Sequence, residues 1–243
     1  MSDTLKEIID FFEQYKTVYN SEIQIDGEIA APEAPKKQSK PVPRRTVTAP
    51  ARRRSAVIKQ RSPELQAFCD EIKECLKCGL GKTRTNFVFG FGHPQAEVMF
   101  IGEAPGQQED DQGIPFVGPA GQLLDRMLFA INLKRDDVFI ANVLKCRPPR
   151  NRDPQPEEVI QCEPYLQKQL EMIKPKVLVS LGRISGQTLL RCKDSLTALR
   201  KEIHEYNGIP LIVTYHPSAL LRNPRWKRES WMDLKKLKEL LEK

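Results

Sequence analysis

An α/β protein built on a parallel, doubly covered sheet is what this sequence predicts, and two observations predict it. Short β-branched apolar runs recur at 97–101, 138–143, 176–181 and 211–214, and helical patterns at 123–131, 156–173 and 183–190 separate them. Strands that alternate with helices in this way have to cross over between parallel neighbours, so helices cover both faces of the sheet. The fold expected is a three-layer α/β/α arrangement around a central, mainly parallel four-stranded sheet.

Along the chain, Leu5, Ile8, Ile9, Phe12, Tyr15 and Tyr19 stand at helical spacing, with Asp3 or Thr4 placed to cap the start. This makes residues 1–20 an amphipathic helix and a candidate docking element for a protein partner. Residues 21–61 are rich in Pro and Ala and carry ten Lys and Arg between Lys36 and Arg61. Too few large apolar side chains are present to offset the entropy of ordering, which predicts a disordered basic linker. Ser62 as N-cap and Pro63 at the first helical position then open a globular domain over 62–243. Asn207-Gly208 is a hairpin signal that joins 202–206 to the strand at 211–214, and a final helix is expected over 225–241.

With 243 residues, one well-buried domain plus an appendage is expected. The formal charge of +7 favours a polyanionic partner, because Lys and Arg release counterions from phosphates. No apolar run approaches the roughly 18 residues that span a bilayer, and Met1-Ser2-Asp3-Thr4 lacks the basic-then-apolar order of a signal peptide. A soluble, intracellular, monomeric protein is expected. Six cysteines are too few for a disulfide scaffold of this length and would stay reduced in a cytosol.

In sheets of this class ligands bind beyond the carboxyl ends of the strands. Here those ends run into Gly102-Glu103-Ala104-Pro105-Gly106, Asn142 with Lys145-Cys146-Arg147-Pro148-Pro149, Gly182-Arg183, and His216-Pro217-Ser218. Small, polar and basic groups are thus delivered to one edge. Cys75-x-x-Cys78, with Cys146 and Cys162 further on, can supply four thiolates to either zinc or an iron-sulfur cluster. Cys69 and Cys192 read as ordinary core thiols.

Taken singly, a glycine loop, an apolar Phe or a strand-end His is usually structural. Taken in order, the Gly102 loop, Pro115-Phe116-Val117-Gly118, the 142–152 segment and His216-Pro217-Ser218-Ala219-Leu220-Leu221-Arg222 resemble the uracil-DNA glycosylase superfamily, in particular its family 4 iron-sulfur branch. The resemblance implies a cytoplasmic, nucleoid-associated repair enzyme that takes uracil from single- and double-stranded DNA. It implies a 4Fe-4S cluster on Cys75, Cys78, Cys146 and Cys162, bracing DNA-facing loops. Phe116 would be the floor on which the flipped base stacks, Asn142 the reader of its edge, and His216 the donor to the departing base. Gly102, Ala104 and Gly106 would line the pocket, Leu220 would be the wedge entering the duplex, and Arg222 would contact substrate.

One departure bears on mechanism. Ala104 stands where better-known branches carry an Asp that handles the attacking water, so Glu103, Glu109 and Asn151 are the candidates for that work, with Glu109 and Asn151 ranked first. Gly106 stands where other branches place a bulky ring against the thymine methyl group. The rival reading is a non-catalytic, cluster-containing DNA-binding accessory domain of the same superfamily. A narrower rival is a glycosylase acting on further deaminated bases.

Overall fold

The computed structural model describes residues 61–242. The expected N-terminal helix and most of the basic linker lie outside the described residues. Arg61, assigned by its charge to the linker, packs onto the domain instead: its guanidinium lies 4.9 Å from the centre of the Phe89 ring and donates to the Gly90 carbonyl at 3.2 Å.

Helix α1 (Pro63–Ile72) starts as expected, with the Ser62 hydroxyl accepting from the Leu65 N–H at 3.3 Å. The strands are β1 (Phe91–Gly92), β2 (Val98–Gly102), β3 (Phe139–Asn142), β4 (Val177–Leu181), β5 (His204–Tyr206) and β6 (Ile209–Thr214). Their order in the sheet is β1-β3-β2-β4-β6-β5. The four inner strands are parallel, as the sequence predicts, but the sheet has six strands and not four, because β1 and β5 add antiparallel edges. The β5 edge is the hairpin that Asn207-Gly208 signals, and both turn residues have positive φ. The β1 edge is two residues long and has no periodicity to read; pairing with β3 creates it.

Helix α2 (Gln107–Gln112) follows the Gly102 loop, and α3 (Pro119–Ala130) begins earlier than its apolar pattern because Gly118 and Pro119 supply its first turn. The helices α4 (Pro156–Ile173) and α5 (Arg183–Leu190) match expectation. After the short α6 (Leu196–Leu199), α7 (Pro217–Arg222) is capped by His216. The last helix, α8 (Lys227–Leu241), starts after a 3-10 turn at Pro224–Trp226.

Alternate residues of the sheet feed two apolar clusters. Met99 and Ile101 join α1 and α4 through Leu65, Leu166 and Leu170, while Val98 and Phe100 join α3 and α8 through Leu124, Leu128, Leu234 and Leu237. This division follows from the period of two in a strand. Among the described residues no helix is long and apolar enough to cross a membrane.

Candidate active site

The parallel register pairs Gly102 with Asn142, so the ends of β2 and β3 lie side by side. Gly102 has to be a glycine: a Cβ there would overlap the Asn142 amide oxygen and come within 2.8 Å of the Phe116 ring. The three residues therefore form one contact. The Phe116 and His216 rings stand 5.4 Å apart between centroids, tilted by 33°. Gly182, with φ of 98°, lets the end of β4 pass the His216 side chain, where a Cβ would meet it at 3.0 Å. The carboxyl edge of the sheet thus gathers an aromatic ring, an amide and an imidazole.

Asn142 is 2% exposed, and its Oδ1 is a buried acceptor with no hydrogen-bond partner among the described residues. Leaving such an atom unpaired costs about 1–3 kcal/mol, and a ligand donor arriving there recovers that cost.

His216 caps α7. Its Nδ1 accepts from the Ser218 N–H at 3.1 Å and lies 2.8 Å from the Ser218 hydroxyl, which leaves the ring proton on Nε2. Burial, helped by the positive charge of Arg222, pushes the imidazole down to about 4. At neutral pH the ring is a neutral N–H donor.

Phe116 has φ of 54°, a left-handed backbone that a bulky residue adopts only when its surroundings hold it there. Two opposite charges do so. Glu109 Oε1 accepts from the Val117 and Gly118 N–H groups at 2.9 and 3.0 Å, while Arg135 donates to the Phe116 carbonyl at 2.9 Å and also to that of Pro115. Arg135 was not foreseen, because nothing in the chain near it marks a residue whose partners lie some twenty positions upstream. Glu109 thus holds the backbone that follows Phe116 with one oxygen, and its Oε2 faces Gly106, where a Cβ would meet it at 2.7 Å.

The remaining expected residues spread around this edge. Glu103 is half-buried; burial and the nearby Asp153 push its carboxyl up to about 7, against the pull of Arg183. Ala104 packs on the core. Asn151 is exposed with φ of 54°, and its Oδ1 accepts from Arg147 Nε at 2.8 Å while Arg147 also donates to Gln107, which ties the 142–152 segment to the start of α2.

Leu220 is a correction. It is 1% exposed and belongs to the cluster under α3 and α8, so it cannot leave its seat to enter a duplex without opening the core. The exposed apolar side chain on α7 is Leu221, at 42%, followed by the exposed Arg222.

The cysteines converge behind β3. Cys146 feels the charge of Cys78 and Cys75, and Cys162 that of Cys146 and Cys78. Donors already face their sulfurs: Tyr165 Oη to Cys75 at 3.1 Å, Arg84 Nη1 to Cys146 at 3.3 Å, and the Lys145 N–H to Cys162 at 3.3 Å. Burial holds the Cys162 thiol up at about 12 when no other group neutralises it. Among the described residues no three His, Cys, Asp or Glu side chains are close enough to share one metal ion. Cys69 is a buried core thiol, as expected, whereas Cys192 is only half-buried against the same cluster.

These features define a class: an α/β protein whose mainly parallel sheet gathers an aromatic ring, a buried amide and an imidazole at its carboxyl edge. Residues 89–235 match the family model of the uracil DNA glycosylase superfamily. A type-4 uracil-DNA glycosylase of Archaeoglobus fulgidus is 48% identical over 70% of this chain and 89% of that protein. Those of Sulfurisphaera tokodaii and Thermotoga maritima are 46% and 40% identical, over 72% and 74% of this chain and 84% and 95% of theirs. The chain belongs to the uracil-DNA glycosylase superfamily and, within it, to the type-4 branch.

Proposed function

We propose that this protein excises uracil from single- and double-stranded DNA by hydrolysing the N-glycosidic bond, leaving an abasic site. The observation that carries the reading is the buried, unpartnered Oδ1 of Asn142 beside the Phe116 ring. The N3–H of a uracil stacked on Phe116 satisfies it. Stacking alone would accept any base. As the C–N bond breaks, negative charge grows on the departing base, and the Nε2–H of neutral His216 donates toward its O2. Arg222 adds a compensating positive charge close by. The deoxyribose cation is captured by water, for which Glu109 through Oε2, then Asn151 and Glu103, are the acceptors on this chain. No lyase step follows, because that needs a free amine and the Lys145 ammonium is buried and bonded within the core.

The test is release of labelled base from single-stranded oligonucleotides carrying uracil, hypoxanthine, xanthine or thymine. Release of uracil above the others is expected. Protein that binds these strands and frees no base would be the accessory DNA-binding domain instead.

Cys75, Cys78, Cys146 and Cys162 would hold a 4Fe-4S group. Three of the four thiols, those of Cys75, Cys146 and Cys162, already face O–H and N–H donors, and such a donor set suits sulfurs that would carry negative charge as iron ligands. When bound it supplies covalent Fe–S cross-links among the segment after α1, the loop after β3, and α4. Cys146→Ala is expected to lose iron, sulfide and thermal stability together. Stoichiometric zinc in colourless protein, or a variant as stable as the parent, would refute this.

Leu221 takes the place of Leu220 as the side chain offered to the duplex. Leu221→Ala should slow excision from double-stranded DNA more than from single-stranded DNA and leave stability unchanged. Leu220→Ala should instead cost about 2–5 kcal/mol of stability. The reverse pattern, by chemical denaturation and base release, would restore Leu220 as the wedge.

A further inference from the structure

Lys145 has no exposed surface, which is unusual for an ammonium that loses its hydration on burial. Its Nζ donates to the main-chain oxygen of Asn142 at 2.8 Å and to Gln169 Oε1 at 2.7 Å. Gln169, on α4 and equally buried, passes the connection on by donating from Nε2 to the Phe89 carbonyl at 2.8 Å. The main chain of Lys145 extends it further: its N–H faces Cys162 Sγ at 3.3 Å, and its carbonyl accepts from the Val88 N–H at 2.8 Å. One residue thus joins the last position of β3, α4, the segment before β1, and the thiol set.

An apolar side chain of the same length would fill this space without desolvating a charge. What it could not do is grip the carbonyl of Asn142 just where the β3 ladder ends. We infer that Lys145 is a positioning residue for base recognition, holding the Asn142 main chain against α4 so that base reader and cysteine site form one rigid unit. The inference rests on the reading of Asn142 as the residue that recognises uracil. Lys145 touches neither substrate nor reacting atoms and acts only through Asn142.

The experiment measures binding without catalysis. Fluorine at C2′ of deoxyuridine disfavours the sugar cation, so a single-stranded oligonucleotide with 2′-fluoro-2′-deoxyuridine binds and resists cleavage. Its affinity relative to the same strand with 2′-fluoro-2′-deoxycytidine reports base discrimination. The full-length protein is compared with Asn142→Ala, Lys145→Met and the double variant, each checked for iron content and thermal unfolding. Lys145→Met is expected to lower the uracil preference by about tenfold or more, the effect of one lost hydrogen bond to a charged group, while affinity for the cytidine strand holds. In the Asn142→Ala background it should lower it no further, because the two residues act in series. Equal weakening on both strands, or an unchanged preference, would overturn the inference by showing that Lys145 serves only the core. Should Lys145→Met not accumulate as folded protein, Gln169→Met removes one acceptor of the same ammonium. A smaller fall in the same ratio is expected there, and no fall overturns the inference. If Asn142→Ala itself keeps the preference for uracil, it is the reading of Asn142 that fails.

Discussion

Asn142→Asp is expected to lose most uracil release and to gain weak release of cytosine. Uracil offers a carbonyl at C4 and an N–H at N3, whereas cytosine offers an amino group at C4 and a bare acceptor at N3. An amide that gives its NH2 to O4 and its oxygen to N3–H fits the first edge and faces the second donor to donor and acceptor to acceptor. Two buried mismatches at about 1–3 kcal/mol each correspond to a discrimination of about 30-fold to about 10⁴-fold. Asn142 is 2% exposed, its Oδ1 has no partner among the described residues, and Gly102 leaves room for it. A carboxylate there removes the donor toward O4 and gives the cytosine amino group an acceptor. Asn142→Ala should lose uracil release without gaining cytosine. Single-turnover base release from matched oligonucleotides at saturating enzyme checks both variants, with iron content and folding measured alongside. Near-parental uracil release by Asn142→Asp would show that another residue reads the base.

His216→Ala is expected to lower the rate of base release by about 10² to 10³, the effect of one donor to a developing oxyanion. The pH dependence is the more discriminating measurement. Burial and Arg222 push His216 down to about 4, so the neutral donor persists across the neutral range and His216 should contribute no inflection near the ordinary histidine value of about 6.5, whereas an inflection near 7 that comes from Glu103 should survive in His216→Ala. The part of the rate that depends on His216 should fall only as pH approaches 4, when the proton that arrives displaces the Ser218 N–H from Nδ1. The same shift sets a sign for stability. The unfolded chain takes up the proton at higher pH than the folded one, so the contribution of His216 is present above the unfolded value and is lost as pH falls from about 6.5 toward 4. An inflection near 6.5 that disappears in His216→Ala would mean that the imidazolium is the working form.

Elements marked by a continuous apolar run or by a helical period were legible in the sequence. The four inner strands, α4 and α5 carry their burial pattern in the chain itself, and Ser62-Pro63 and Asn207-Gly208 are local signals that need no distant partner. The gathering of the candidate site residues at one edge was legible for a related reason. In a parallel sheet every strand ends at the same edge, so Gly102, Asn142, Gly182 and His216 could be assembled from strand positions alone.

What lacked a local signal stayed out of reach. The β1 edge exists only through pairing, and Leu220 could not be told from Leu221 because a six-residue helix is too short for two adjacent apolar residues to reveal which one faces the core. Arg135 is bonded to carbonyls some twenty positions away, and Lys145, in the loop after β3, to a glutamine on α4. The sequence by itself determined the alternation of elements, the strand ends and the residue types gathered there, because period, turn chemistry and strand direction are properties of neighbouring residues. Only the tertiary structure decided which groups hold Phe116 and Asn142 in place and which leucine faces outward. Those outcomes depend on hydrogen bonds and burial between segments that meet only once the sheet has closed against its helices.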